Sequence, residues 1–338
     1  MSFEDQNAMA QVQPNLNAEV YRSMTPADRP PIPDKHLQFI SIYNENSAIL
    51  GGSNMTDRYW SGTVWYYNSI ADFDRNKAYL ATKTESGVCD AVFLESDKFV
   101  IGEDSGALQV LQLTKSSDDS QELQCAGYTC LHDDSLLSLS AFEDKCHVVS
   151  GGMDCCIKVW DITELMAIQS FNSAHTDIVT CVDSRPGSLN EFASTSFDSE
   201  ALLWDTRKSK PALSILKKDV GLTAVNWNPS LSELLSIGTD DGEVIIIDIR
   251  KTSPKLLQES RVFPKPIHKL SFNPNSERWE ELAVCCDDVT VVVLDMNFSL
   301  SVYKDDRHND FTRDFAWFNN NLYSCSWDNE VLQHVVHP

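Results

Sequence analysis

The sequence predicts an all-β fold: a seven-bladed propeller behind a flexible, proline-containing N-terminal arm. Three observations carry this. Two segments repeat in residue type, Ser150-Gly-Gly-Met-Asp154-Cys-Cys-Ile-Lys-Val-Trp160-Asp161 and Ser194-Thr-Ser-Phe-Asp198-Ser-Glu-Ala-Leu-Leu-Trp204-Asp205, with turn acids and tryptophans both 44 residues apart. The plan they share, an apolar run, an acidic turn and a second apolar run, recurs seven times along the chain. Seven units of about 42 residues also use nearly 300 of the 338, and a propeller buries each sheet against its neighbours. One large domain, 37–338, is therefore expected after an arm at 1–36.

The first unit is degenerate: Ser47-Ala-Ile-Leu-Gly-Gly-Ser53, a long loop, then Gly62-Thr-Val-Trp65-Tyr-Tyr67. The second runs through Phe99-Val-Ile-Gly-Glu-Asp104-Ser-Gly-Ala-Leu-Gln-Val-Leu without the tryptophan. The third and fourth are the pair above. The fifth is Leu234-Leu-Ser-Ile-Gly-Thr-Asp240-Asp241-Gly-Glu-Val-Ile-Ile-Ile-Asp248, and its exit, Asp248-Ile-Arg250-Lys251, repeats Asp205-Thr-Arg207-Lys208 of the fourth. Leu282-Ala-Val-Cys-Cys-Asp287-Asp288 begins the sixth and Leu322-Tyr-Ser-Cys-Ser-Trp-Asp328 the seventh. Each run is short and rich in β-branched or aromatic residues, and Asp, Asn and Gly sit at the turns, as strand and turn chemistry require. The chain stops at Pro338 soon after the last strand, so ring closure is expected to depend on the amino-terminal region.

A period of about 40–45 residues closing on Trp-Asp is the signature of WD40 blades. By that resemblance His132, Ser150, Asp154 and Trp160 link by hydrogen bonds to pin one blade, and His175, Ser194, Asp198 and Trp204 the next. A His–Ser–Asp trio also suggests a hydrolase triad. The same spacing recurs in adjacent blades, whereas a catalytic site would not repeat, so scaffold is the reading and no catalytic residue is expected. Only two blades keep Trp-Asp; Ile247, Leu294 and Val335 stand near the tryptophan position in others.

Composition narrows the function. Fifty Asp plus Glu against 27 Lys plus Arg give −23, a surface that repels phosphate backbones and anionic lipid and attracts basic chains. Solubility and turn chemistry explain part of that excess; recruitment of Arg- or Lys-rich partners is the other reading. No apolar run reaches 18 residues, and Met1-Ser-Phe-Glu-Asp lacks a signal-peptide start, so neither a membrane nor direct nucleic-acid contact is expected. The ten cysteines include no Cys-x-x-Cys; the adjacent pairs Cys155-Cys156 and Cys285-Cys286 fall on expected strands, facing opposite ways. Reduced thiols in a cytoplasmic or nuclear protein follow, with no metal. No phosphate-binding glycine loop appears, and no cofactor is implied.

One loop breaks the pattern. Between the two runs of the first blade stands Ser53-Asn-Met-Thr-Asp-Arg58-Tyr59-Trp60-Ser-Gly62. Loop tips are normally polar, yet Arg, Tyr and Trp, the residue types most enriched at interface hot spots, sit together here. Trp60 either folds back on its blade or anchors a partner, with Arg58 beside it.

This segment, Ser53 to Trp65, is similar to the Trp-bearing loop of the methylosome WD-repeat subunit family, partners of the type II protein arginine methyltransferase. Glu85-Ser-Gly-Val-Cys-Asp90, Leu203-Trp-Asp-Thr-Arg207, His308-Asn-Asp-Phe-Thr-Arg-Asp314 and Trp327-Asp-Asn-Glu-Val-Leu-Gln-His-Val-Val336 also match, so the resemblance covers most of 37–338 and suggests a distant or insect-like member. It implies a non-catalytic adaptor that binds the methyltransferase's amino-terminal barrel in a hetero-oligomer, with Trp60 and Arg58 as anchors and Tyr59 beside them. Tyr303 matches an aromatic interface position at a spacing different by one residue. Arg-rich tails of spliceosomal Sm proteins and histones are the implied substrates, and Tudor-domain proteins of germ plasm a further contact. Two alternatives stay open: a substrate receptor of another complex such as a ubiquitin ligase, indifferent to Trp60, and an enzyme, for which no motif speaks.

Overall fold

The computed structural model describes residues 36–54, 61–74, 77–115, 120–250, 253–296 and 301–337, within a compact unit, Asp34–Pro338. The expected arm therefore falls outside the described residues, except that His36 opens the first strand. Among the described residues 27 strands form seven antiparallel sheets, six of four strands and one of three, and there is no α-helix. The seven-bladed propeller read from the sequence is the fold observed. Blades 1 to 7 occupy 36–84, 88–130, 136–171, 179–217, 222–261, 267–305 and 312–335.

Each blade is a meander whose first strand is innermost, and inner strands of consecutive blades lie side by side around the ring. Seven hydrophobic clusters fill the seven seams between blades. Trp160 packs with Leu94, Val100 and Leu108 across the seam of blades 2 and 3, and Trp204 with Phe142, Val149 and Phe171 across the next. Blade 5 has Ile247 in that place, packed with Ile237 and Ile245 against Ala193 and Leu203 of blade 4. Aliphatic burial replaces the tryptophan there, at roughly 25 cal/mol for each Å² removed from water.

Polar side chains stitch the same seams by accepting backbone N–H bonds from the following blade. In one tier the Leu139 amide donates to Asp90 (2.8 Å), the Val182 amide to Ser138 Oγ (3.2 Å) and the Ile40 amide to Asp314 (3.0 Å). In a second tier the Ser184 amide donates to Ser140 Oγ (3.0 Å), the Trp227 amide to Asp183 (2.9 Å) and the Phe272 amide to Asn226 Oδ1 (2.9 Å). The Asp314–Ile40 bond joins blade 7 to blade 1, where Leu37, Ile40, Leu50 and Tyr67 pack on Tyr323 and Cys325. Among the described residues, ring closure thus rests on this seam. An inner strand of edge-facing amides would be costly to bury unpaired, so these bonds fix the angle between blades.

Asp183 also accepts from the Asn226 amide nitrogen (3.1 Å) and the Ser140 hydroxyl (3.1 Å). Burial pushes its carboxyl from 3.8 up to about 6 against these donors. Stability from such a group is present below its unfolded value and is lost as pH rises through the folded one. Asp183→Asn keeps an acceptor for Trp227 and removes the titration. Wild type should therefore gain about 1 kcal/mol on the variant between about pH 7.5 and about pH 5, read from urea midpoints. A difference that stays constant across that window would mean Asp183 titrates normally.

One sequence expectation is corrected and its companion holds. Cys155 and Cys156 lie in the turn after Gly152, not on a strand, because Asp154 caps that turn by accepting the Cys156 amide (3.1 Å) and Cys155 takes φ 61°. Cys285 and Cys286 do sit on a strand and face opposite seams. All ten cysteines are free.

Candidate protein-interaction site

In blade 3 the Trp160 indole N–H donates to Ser150 Oγ (2.8 Å), and the hydroxyl is 2.8 Å from His132 Nε2. His132 Nδ1 meets Asp154 at 2.9 Å. The indole can only donate, which sets the direction: Trp to Ser, Ser to His, His to Asp, every group satisfied. Blade 4 repeats it with Trp204, Ser194, His175 and Asp198, at 2.8, 2.7 and 2.9 Å. Burial pushes the Asp154 carboxyl up, but the His132 bond and the Asp133 and Cys156 amides overcome this and hold it at about 2. Ser150 and Ser194 are wholly buried, so neither hydroxyl is open to a substrate.

Blade 7 holds a third such set that the sequence reading misplaced. Val335 is not at the tryptophan position; His334 is, paired with Leu322 as Trp160 is with Val148. His334 Nε2 lies 2.7 Å from Ser324 Oγ, which bonds His308 Nε2 at 2.7 Å, and His308 Nδ1 meets Asp328 at 3.0 Å. Burial pulls His334 down to about 4, so at neutral pH it is an uncharged Nε2–H donor standing in for an indole. The signal was in the spacing: Asp154 to Trp160, Asp198 to Trp204 and Asp328 to His334 are each six residues.

Of the expected interface residues, Arg58, Tyr59 and Trp60 lie outside the described residues. The strands that flank them, Ser47–Asn54 and Ser61–Tyr67, are described, and Asn54 lines the mouth of the central channel. Tyr303 is half-buried in blade 6; its hydroxyl donates to Asp305 (2.7 Å) and its ring meets His334 edge-on at 5.7 Å. The structure therefore ties Tyr303 to the His334 network, apart from the blade 1 strands.

The channel opens into a cavity of about 470 Å³. Inner strands carry β-bulges near their starts, and bulge residues such as Gln38, Cys89, Thr180 and Arg313 turn into it. Its wall bears Asp90, Asp104, Asp240, Asp287 and Asp314 against Lys269 and Arg313. Lys269 pairs with Asp314 (3.2 Å) and Arg313 with Asp287 (3.4 Å). Among the described residues no group of three or more His, Cys, Asp or Glu is placed to hold a metal, and no helix is long and apolar enough to cross a membrane. What the site offers is shaped, acidic protein surface.

These blades, their Trp–Ser–His–Asp sets and the ring they close define a WD40-repeat propeller. The WD domain, G-beta repeat model matches residues 125–161 and 167–205, both ending on the Trp-Asp pairs. The methylosome protein WDR77 of Xenopus laevis is 31% identical over 315 residues, covering 91% of this chain and 92% of that protein. Protein valois of Drosophila melanogaster is 26% identical over 241 residues, 66% of this chain and 65% of that protein. A protein transport protein SEC31 of Chaetomium globosum is 25% identical over 75% of this chain, which spans 20% of that protein. The chain belongs to the family of methylosome WD-repeat subunits.

Proposed function

We propose that this chain is the non-catalytic adaptor of a methylosome, binding the type II, symmetric-dimethylating protein arginine methyltransferase in a hetero-oligomer and presenting Arg-rich substrates to it. The observation that carries this reading is the 31% identity to a methylosome protein along nearly the whole length of both chains. Trp60 is the proposed anchor, with Arg58 and Tyr59 beside it, and Tyr303 a second aromatic contact through its ring. Sm protein and histone tails are the proposed substrates, in cytoplasm and nucleus, with Tudor-domain proteins of germ plasm as a further partner. Holding a tail raises its effective concentration at the methyltransferase without supplying a catalytic group. The net charge of −23 suits such tails.

The test is co-elution. Wild type should run with the methyltransferase as one large species in size-exclusion chromatography with light scattering. Trp60→Ala should weaken that complex by at least about 2 kcal/mol while thermal unfolding stays put. Absence of a wild-type complex would end the adaptor reading; an unaffected variant would move the interface off blade 1. Tail binding should also fall steeply with salt, because exposed charges are screened beyond about 8 Å at physiological ionic strength. Affinity that is flat in salt would remove charge as the recruiting force.

A further inference from the structure

In blades 2 to 7 the residue that follows the second strand holds a fixed place in the register. Register puts Asp104, Met153, Phe197, Asp240, Asp287 and Trp327 at that position in blades 2 to 7, each one residue past the partner of the first paired residue of its inner strand. The backbone there is tied down in the same way each time: Met153 N donates to Ser135 O (2.8 Å), Phe197 N to Ile178 O (3.1 Å) and Asp240 N to Gly221 O (2.9 Å). Five of these side chains, all but Trp327, line the common cavity. The choice is uneven: acid, two apolar residues, two acids, then tryptophan.

The apolar pair is out of place by ordinary rules. Met153 is 37% exposed and Phe197 40%, in the wall of a cavity and on turns where neighbouring blades carry acids. Phe197 is also held in position. It lies on Gly221, where a methyl group would meet its Cδ1 at 2.5 Å, and the carbonyl of the same Gly221 accepts the Asp240 amide. One glycine therefore sets an exposed ring beside an exposed carboxylate. Two residues after Gly221, in the wall of the same cavity, the buried Thr223 hydroxyl has no hydrogen-bond partner among the described residues. Asp240 likewise has no cation paired with it there, whereas Asp287 and Asp314 are matched by Arg313 and Lys269.

The protein already displays the chemistry this corner is shaped for. Two blades on, the Arg313 guanidinium lies 4.9 Å from the Trp327 ring and 3.4 Å from Asp287, so an aromatic face and a carboxylate hold one planar cation. Phe197 and Asp240 repeat the aromatic and the acid without the arginine. A planar guanidinium stacks on a ring and bonds a carboxylate at once, which an ammonium does less well.

We infer that the mouth of the channel on blades 3 to 5 binds an arginine side chain of a substrate tail: the guanidinium stacks on Phe197 and pairs with Asp240, Thr223 accepts a further N–H, and Met153 covers the aliphatic stem. That the arginine belongs to a methylation substrate rests on the adaptor reading; the site itself rests on the cavity.

The experiment titrates a fluorescein-labelled peptide of alternating arginine and glycine into the full chain at low salt and follows anisotropy. Phe197→Ala and Asp240→Lys should each weaken binding about tenfold or more. Glu164→Lys, which makes the same charge change on the exposed turn after blade 3's Trp-Asp, should shift it by less than about threefold. A lysine–glycine peptide should bind about three- to fivefold more weakly than the arginine peptide. Asp240→Asn serves if the lysine variant unfolds early. Wild-type affinity in Phe197→Ala, or an equal loss in Glu164→Lys and Asp240→Lys, would overturn the site in favour of a diffuse acidic field. The same variants are then run with the methyltransferase. Intact complexes with lost peptide binding support the mouth as a tail site, whereas a wild type that binds peptide but no methyltransferase would keep the site and sink the adaptor reading.

Discussion

Trp204→Ala should lower the propeller's stability by about 4 kcal/mol, the largest loss expected from one substitution in this chain. The indole is 2% exposed and packs across a seam, its ring 4.6 Å from Phe171 and stacked at 6.0 Å on Phe192. Truncation leaves a cavity that two blades would have to move to fill, and cavities that cannot collapse are the costly ones. It also strips the donor from Ser194 Oγ, and through it loosens the chain to His175 and Asp198. Trp204→Phe separates the two effects. It keeps most of the ring and loses the N–H, so about 1–2 kcal/mol should go. Urea unfolding followed by circular dichroism reads both. If Trp204→Ala costs less than about 1 kcal/mol, the hydrogen-bonded sets are ornament on blades that hold without them, as blade 5 does with Ile247 in that place.

What was legible in the sequence follows from what a repeat repeats. Blade count, strand–turn–strand order and the Trp–Ser–His–Asp sets of blades 3 and 4 depend on local spacing, which the chain states twice at 44 residues. The third set was missed because attention to Trp-Asp hid a histidine in the same slot, although Asp328 to His334 keeps the six-residue interval. The seam carboxylates were not legible at all. No local pattern marks Asp90, Asp183 and Asp314, because their partners are amides more than 40 residues away or, for Asp314, at the other end of the chain. The mouth is similar: Phe197 and Asp240 meet through Gly221, and no pattern within either blade announces it. The blade 1 loop was the reverse case, conspicuous in composition at Arg58, Tyr59 and Trp60 because hot-spot residues on a loop need no fold to be noticed.

Lys269→Met should cost about 3 kcal/mol, for a reason opposite to that of Trp204, since it adds apolar surface and removes only a charge. Lys269 stands on the inner strand of blade 6, in the place that Asp90 and Asp314 occupy on theirs, and its ammonium is 3.2 Å from Asp314. Burial alone would pull its pKa down; the charges of Asp314 and Asp90 prevail and hold it above the usual lysine range. Those two acids accept the amides that join blades 7 to 1 and 2 to 3, so one cation in the channel stabilises both seams. With methionine there, Asp314, 5% exposed, keeps its amide bond from Ile40 and loses its counter-charge. The loss sits at the low end of the range for broken buried pairs, because channel water reaches the ammonium. A pH series identifies the cause. Burial already pushes the Asp90 carboxyl up, against Lys269, and a raised carboxyl gives stability that is lost as pH rises. The deficit of Lys269→Met should therefore be larger at alkaline than at acidic pH, where protonation of Asp90 removes part of the unmatched charge. A deficit independent of pH would point to packing of the lysine stem instead. No deficit at all would mean that the lysine charge adds nothing to seam 7–1, which the Asp314–Ile40 bond and the packing of Leu37, Ile40 and Tyr67 on Tyr323 hold without it.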